Sequence, residues 1–360
     1  MIFTIIRFIY DKVYIYRLSD TMINGIEDEI YKYVNQKLDE IEEEFNIKIL
    51  YAVESGSRGW GFANDESDYD VRFIYIRPLS DYLSIVHKRD VIDINDLGKR
   101  DYKYDLDFSG WDITKTLQLH RKSNPSLREY IVHNMVYRGD TSFLDGLPEF
   151  DLITLKQAYG GMTYSNWNKY VKGDEMTKSV TKRYCYCIRQ ILAWILIDEY
   201  NDPYAPINID ELFAIFENKE DSPLAPQLLE DMHSLVDYYR DNCSTNHLSE
   251  RAIMNLSTWV STYLDVMKTK QGKSKELPDV EIYNQRFKEI LTQIVSYGIK
   301  SDIIDRCHLC KHGNHYPSSQ WCDKGWWHDY DGGAYGTNIF CEDFEEEEYY
   351  RYGKKGFVIQ

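Results

Sequence analysis

Two apolar runs, Ile47 to Val53 and Val71 to Ile76, bracket the segment Ser55-Gly56-Ser57-Arg58-Gly59-Trp60-Gly61 and, after it, Ser67-Asp68-Tyr69-Asp70. The runs read as buried strands. A glycine-serine turn leaves the first, and two carboxylates one residue apart enter the second. Side chains alternate along a strand, so Asp68 and Asp70 share one face while Tyr69 and Val71 take the other. Carboxylates that close resist joint ionisation unless a cation neutralises them. The pattern therefore points to a divalent-metal site beside a loop suited to phosphate.

Gly56-Ser57 followed at this distance by Asp68-x-Asp70 resembles the signature of the DNA polymerase β-like nucleotidyltransferase superfamily. The longer string from Leu50 through Glu54-Ser55-Gly56-Ser57-Arg58 to Ser67-Asp68-Tyr69-Asp70-Val71-Arg72-Phe73 is similar to the predicted nucleotidyltransferases associated with RNA ligases in bacteria and phages. Gly110-Trp111-Asp112-Ile113-Thr114-Lys115, Lys122-Ser123-Asn124-Pro125 and Lys182-Arg183-Tyr184-x-Tyr186-x-x-Arg189 add to the likeness, which covers roughly residues 25–295.

Bulk properties agree with a folded, globular chain. The chain has 43% hydrophobic and 15% aromatic residues, a globular composition. A formal charge of −17 argues against a broad basic footprint for duplex nucleic acid. Basic residues do concentrate locally, at Lys169, Lys172, Lys178, Lys182, Arg183 and Arg189. No apolar run is long enough for a transmembrane helix. Residues 1–21 are broken by Arg7, Asp11, Lys12 and Arg17, unlike a secretory signal, and Met22 is an alternative start. Seven unevenly spaced cysteines favour a reduced, cytoplasmic setting.

The periodicity of Ile26, Ile30, Val34, Leu38, Ile41 and Phe45 predicts a helix over 23–45. Strands are expected near 47–53, 70–77, 90–95 and 101–108, followed by a helix with Asn124 as N-cap and Pro125 at its first position. From about 151 to 298 only helical patterns occur. The expected fold is α+β: a leader at 1–22, a polymerase β-like nucleotidyltransferase core at 23–147, a helical domain at 148–299, and a Cys/His/aromatic-rich tail at 300–360.

In nucleotidyl transfer an acceptor oxygen attacks the α-phosphate while pyrophosphate leaves, and two Mg²⁺ ions about 3.5–4 Å apart stabilise both oxygens. Asp68 and Asp70 suit the bridging ligands, with a third carboxylate from an adjacent strand. Asp107 is preferred over Asp112, which reads as a helix start. Gly56 and Ser57 would face the β- and γ-phosphates, because glycine permits close approach of the backbone. Arg58 and Arg72 match phosphate or the carboxylates. By analogy with the superfamily, Lys182, Tyr184 and Arg189 would close over the nucleotide, although Tyr184 is better explained as core. Cys185 and Cys187, about 200° apart on a helix, cannot share an ion. In the tail, Cys307-x-x-Cys310 with Cys322 and Cys341 suits a structural zinc, with His312 or His315 as substitutes. The acidic run from Glu342 to Glu348 reads as a solvated end.

The resemblance implies a Mg²⁺-dependent transferase that moves NMP from NTP to an acceptor such as an RNA end or an RNA-ligase-linked substrate. Nucleotidylation of a protein or small molecule is the alternative within the enzyme class. A catalytically silent RNA-binding adaptor is the alternative outside it.

Overall fold

The structure is a computed structural model of the chain. It describes residues 25–293 except 95–102, 174, 202, 220–221, 245–247 and 271. It also gives the backbone of strands Phe3–Ile9, Lys12–Leu18 and Met22–Ile23, and of two short strands, Gln320–Trp321 and Trp327–His328. The chain divides into two units, Met1–Phe287 and Lys288–Gln360. In the second, Gln320–Trp321 pairs antiparallel with Trp327–His328. Cys307, Cys310, Cys322 and Cys341 lie outside the described residues, as does the acidic end.

The first unit has a central five-stranded mixed sheet and many helices, an α+β architecture. The sheet strands are β1 (Lys48–Glu54), β2 (Tyr69–Ile76), β3 (Val91–Asp93), β4 (Leu106–Asp112) and β5 (Val136–Gly139), in the order β3-β4-β2-β1-β5. The β2–β4 pair is parallel and the other three pairs are antiparallel. The segment Phe3–Ile9 pairs antiparallel with Lys12–Leu18 in a hairpin of its own, where the sequence suggested only a leader.

Helix α1 (Asp28–Phe45) lays Ile30, Val34, Leu38 and Ile41 against the sheet core. Each such burial is worth about 1.5–3 kcal/mol. It starts later than its periodicity suggests, because Gly25 takes a φ of +78° and Ile23 pairs with Ile26 in a tight hairpin. Asn46, with φ 49°, ends it in a left-handed cap whose backbone N–H reaches the carbonyls of Glu42 and Glu43.

Helix α2 is the single turn Gly56–Gly59, and α3 (Ile113–Arg121) follows β4 directly, capped by the Asp112 carboxylate on Thr114 N. Helix α4 (Pro125–Ile131) opens as expected, with Asn124 accepting from Leu127 N and Pro125 at its start. The helices α5 (Leu152–Asn166), α6 (Lys178–Tyr200), α7 (Ile209–Glu217), α8 (Pro226–Arg240) and α9 (Glu250–Thr269) enclose a second core. Helix α6 is its axis, buried without a break from Cys187 to Ile197. Cys185 and Cys187 are free thiols inside that core. Among the described residues no helix is long and apolar enough to cross a membrane.

His120, on α3, is buried at 3% exposure against Phe150, with Nδ1 3.2 Å from the Tyr283 hydroxyl. Burial pushes its pKa down to about 4. The folded state thus holds fewer protons than the unfolded one between pH ~6.5 and ~4, so this contribution is present above that window and is lost as pH falls through it. Relative to His120→Gln, the native chain should lose up to about 3 kcal/mol more unfolding free energy across the window. Denaturant melts of both at several pH values check this; parallel curves would contradict it.

Candidate active site

Strand β2 carries Asp70 and β4 carries Asp107, and the parallel register sets these two residues side by side. Asp68 lies just before β2, in the loop that Arg58 holds. The Arg58 guanidinium donates from Nε to the Asp68 carbonyl (3.0 Å) and from Nη2 to the Ser67 carbonyl (2.8 Å), and stacks 3.8 Å from the Tyr69 ring. Arg58 therefore shapes the carboxylate loop rather than projecting into open space.

Arg72 follows Asp70 on the same face. Its Nη2 donates to Asp70 Oδ1 (2.6 Å) and to Asp107 Oδ2 (2.9 Å), and its Nη1 to the Asp107 carbonyl (3.2 Å). Burial raises the Asp70 pKa above the ordinary carboxylate range. Arg72 and Lys182 oppose that rise, while Asp68 and Asp107 add to it. One guanidinium thus bridges two carboxylates that repel each other.

Gly56 explains how Asp70 is seated. Its φ is +58°, and a Cβ there would lie 1.8 Å from Asp70 Oδ2. The missing side chain makes room for the carboxylate itself, a reason the sequence did not reveal. Ser55 N donates to the Asp70 carbonyl (2.8 Å), and Ser57 is buried beside it.

Beneath this lies Glu54, 1% exposed at the end of β1. Its Oε1 accepts from Asp70 N (2.9 Å) and its Oε2 from the Tyr137 hydroxyl (2.6 Å). Burial pushes its pKa up to about 7 although both donors favour the anion. Glu54 and Tyr137 are supports that the sequence reading passed over. An ionisable residue ending an otherwise apolar strand was the available signal, because a carboxylate is almost never fully buried without partners.

Asp112 stands five residues along β4 from Asp107, about 16 Å away at ~3.3 Å per residue. Its carboxylate accepts from Thr114 N, Thr114 Oγ1 and the Tyr82 hydroxyl, and lies 3.7 Å from Arg77 Nε. It lines a separate cavity with Arg77 and Tyr82.

From α6, Lys182 lies close enough to oppose the rise in the Asp70 pKa, and Tyr186 close enough to feel the charge of Asp70. Tyr184 points the other way into the core, its hydroxyl 2.6 Å from Ser257 Oγ. Arg189 is 2% exposed and donates from Nη1 to Glu129 Oε1 (2.9 Å), with its guanidinium 4.4 Å from the Trp60 ring. The same Glu129 accepts from Trp60 Nε1 and the Tyr159 hydroxyl, each at 3.1 Å. The structure thus sets Arg189 in a buried polar knot joining α2, α4, α5 and α6.

Over residues 30–289 the sequence matches the RNA repair pathway DNA polymerase beta family. The chain belongs to that family. The central mixed sheet with its helices matches the polymerase β-like core of that family. The uncharacterised protein YcgL of Bacillus subtilis (strain 168) is a relative of this family member, 41% identical over 168 residues. That match takes in 44% of this chain and 60% of YcgL, so the chain spans about 60% of the length of this curated relative. A crystal structure of a spectinomycin adenyltransferase from Enterococcus faecialis with ATP and spectinomycin aligns over 67% of this chain and 99% of that one. Its identity is 14% and its TM-score 0.34, a likeness too distant to bring a substrate across.

Proposed function

We propose that this chain is a Mg²⁺-dependent nucleotidyltransferase that moves NMP from NTP to an RNA end. The observation that carries the reading is the side-by-side seating of Asp70 and Asp107, bridged by one cation. Among the described residues no three His, Cys, Asp or Glu side chains converge on a metal position as they stand. Arg72 occupies the place between the two carboxylates, and a guanidinium held there stands in for the positive charge the pair requires. Asp68, Asp70 and Asp107 are all oxygen donors, the set Mg²⁺ prefers, so the residues fit the ion. When bound, Mg²⁺ would neutralise charge on the triphosphate and on the attacking and leaving oxygens.

The remaining roles belong to the chain. Gly56 and Ser57 offer backbone N–H groups to the β- and γ-phosphates. Arg72, released from the carboxylates, would meet the triphosphate, and Lys182 would add a second cation. The acceptor hydroxyl oxygen forms its bond to the α-phosphorus as the bond to the β-phosphate oxygen breaks and pyrophosphate departs. Asp107 is half-buried and open to solvent on one side, the carboxylate placed to receive the acceptor proton. Glu54 fixes the backbone of Asp70 from beneath, and Arg58 fixes that of Asp68. In the tail, Cys307, Cys310, Cys322 and Cys341 are proposed as ligands of a structural zinc. Metal analysis of the purified protein tests that, with absence of zinc removing it.

Transfer from α-labelled NTP into the RNA, protein and small-molecule fractions of one extract tests the function. Label should enter RNA and vanish in Asp68→Ala/Asp70→Ala. Carboxylate-dependent label in protein or small molecules instead would move the acceptor to that class. Tight binding of a non-hydrolysable NTP with no carboxylate-dependent label anywhere would reduce the chain to a nucleotide-binding adaptor.

A further inference from the structure

We propose that Tyr186, Arg183, Tyr170 and Lys169 form a stacking track that holds the unpaired bases of a single-stranded RNA acceptor. The proposal rests on the nucleotidyltransferase reading above and assigns that enzyme its acceptor surface.

The track begins at the carboxylates. Lys182 and Arg183 each neighbour Tyr186 on α6, four and three residues before it. The half-buried Tyr186 ring meets Trp60 edge to face at 5.2 Å between ring centres, and Trp60 directly follows the Gly56–Gly59 turn, so this ring borders the site. The Arg183 guanidinium lies 5.2 Å from the centre of the Tyr186 ring and 4.7 Å from that of Tyr170. Lys169 Nζ lies 5.0 Å from the same Tyr170 ring. Rings and cations therefore alternate in the order Tyr186, Arg183, Tyr170, Lys169. Lys169 and Tyr170 sit in a π-helical turn, Trp167–Val171, a wider turn found often at functional sites.

Charge distinguishes this strip from an ordinary solvated face. The chain carries −17 overall. Nearby Lys178 is paired with Glu66, and Arg189 with Glu129. Among the described residues Lys169, Lys172, Lys182 and Arg183 have no carboxylate ion pair. Unneutralised cations interleaved with ring faces suit a polymer that alternates flat bases and phosphates. Stacking needs bases free of a duplex, and the acidic remainder of the chain offers a duplex no broad basic footprint. Tyr170 stands two cation–ring contacts beyond Tyr186, and the acceptor strand lies along that line in this proposal.

The full chain is titrated with a fluorescein-labelled single-stranded oligoribonucleotide, with its annealed duplex as competitor. The single strand should bind and the duplex should compete poorly. Tyr170→Ala and Arg183→Ala should each weaken binding by roughly 5- to 100-fold, the range for losing one base–aromatic stack. Tyr200→Ala, an exposed tyrosine that also lies under a lysine (Lys219, 4.7 Å), should bind as the native chain does. Calorimetric binding of a non-hydrolysable NTP with Mg²⁺ should be unchanged in Tyr170→Ala. Asp68→Ala/Asp70→Ala should still bind the oligonucleotide, which separates failure of the track from failure of the transfer reading. No binding by the native chain, equal binding by the track variants, or preference for duplex overturns the proposal. So does loss of labelling of a protein acceptor in Tyr170→Ala without RNA binding, which would give this surface to a protein.

Discussion

Gly56→Ala should lower nucleotidyl transfer by about 100-fold or more, the scale expected when a reacting group is misplaced by about 1 Å. A Cβ at Gly56 would lie 1.8 Å from Asp70 Oδ2, and ordinary contact begins near 3.4 Å, so the carboxylate must retreat by roughly 1.6 Å. The φ of +58° adds strain for any residue with a side chain, about 1–2 kcal/mol. Asp70 has little room to yield, because Arg72 holds its carboxylate, Glu54 its backbone N–H and Ser55 its carbonyl. Gly161→Ala is the contrast. That glycine lies inside α5 with nothing within 4 Å of an added Cβ, and the change should leave activity intact while adding up to about 1 kcal/mol of stability. Steady-state transfer rates and thermal melts of both variants decide the matter. A folded Gly56→Ala chain within threefold of native activity would show that the seat of Asp70 is not what glycine protects.

Part of this seat is legible in the sequence, and the rest is hidden for physical reasons. Strand alternation predicts Asp68 and Asp70 on one face, but β2 begins at Tyr69 and leaves Asp68 in the loop before it, while the strand-like run around Asp107 does supply the neighbouring carboxylate. The strand carrying Asp107 was expected at 101–108 but runs Leu106–Asp112, because its pairing with β2 continues through Gly110, where a Cβ would meet the Phe73 ring at 2.1 Å. A glycine that admits a facing ring reads in sequence as a strand end. Strand β5 was missed because its four residues, Val136 to Gly139, are too few to show alternation. Yet it matters, since its Tyr137 donates to Glu54 beneath the site. For Glu54 the local signal is only a carboxylate at the end of an apolar strand, and its partners stay hidden because they are 16 and 83 residues away. Lys182 and Arg189 came from resemblance together. Only packing separates them: Lys182 acts on Asp70, and Arg189 is turned inward to Glu129.

That separation carries the largest expected effect on stability. Arg189→Met should destabilise the fold by about 3–5 kcal/mol, because it leaves Glu129 buried without its cation. Glu129 is 7% exposed, and among the described residues the Trp60 indole and the Tyr159 hydroxyl are the hydrogen-bond partners that would remain to it. Glu129→Gln in the Arg189→Met background removes the stranded charge while keeping an oxygen for both donors. It should recover a substantial part of the loss, since a buried pair replaced as a whole costs far less than one broken in half. The knot also sets the site, because Trp60 directly follows the turn that carries Gly56, lies under the Arg189 guanidinium and meets Tyr186 edge to face. A bracing Arg189 therefore predicts a fall in melting temperature, partial rescue in the double variant, and a transfer rate that follows the folded fraction. An Arg189 that grips the nucleotide predicts a raised KM for NTP with the melting temperature unchanged and no rescue by Glu129→Gln. Melting curves and NTP saturation curves for the two single variants and the double variant separate these outcomes, and the second pattern would return Arg189 to the nucleotide.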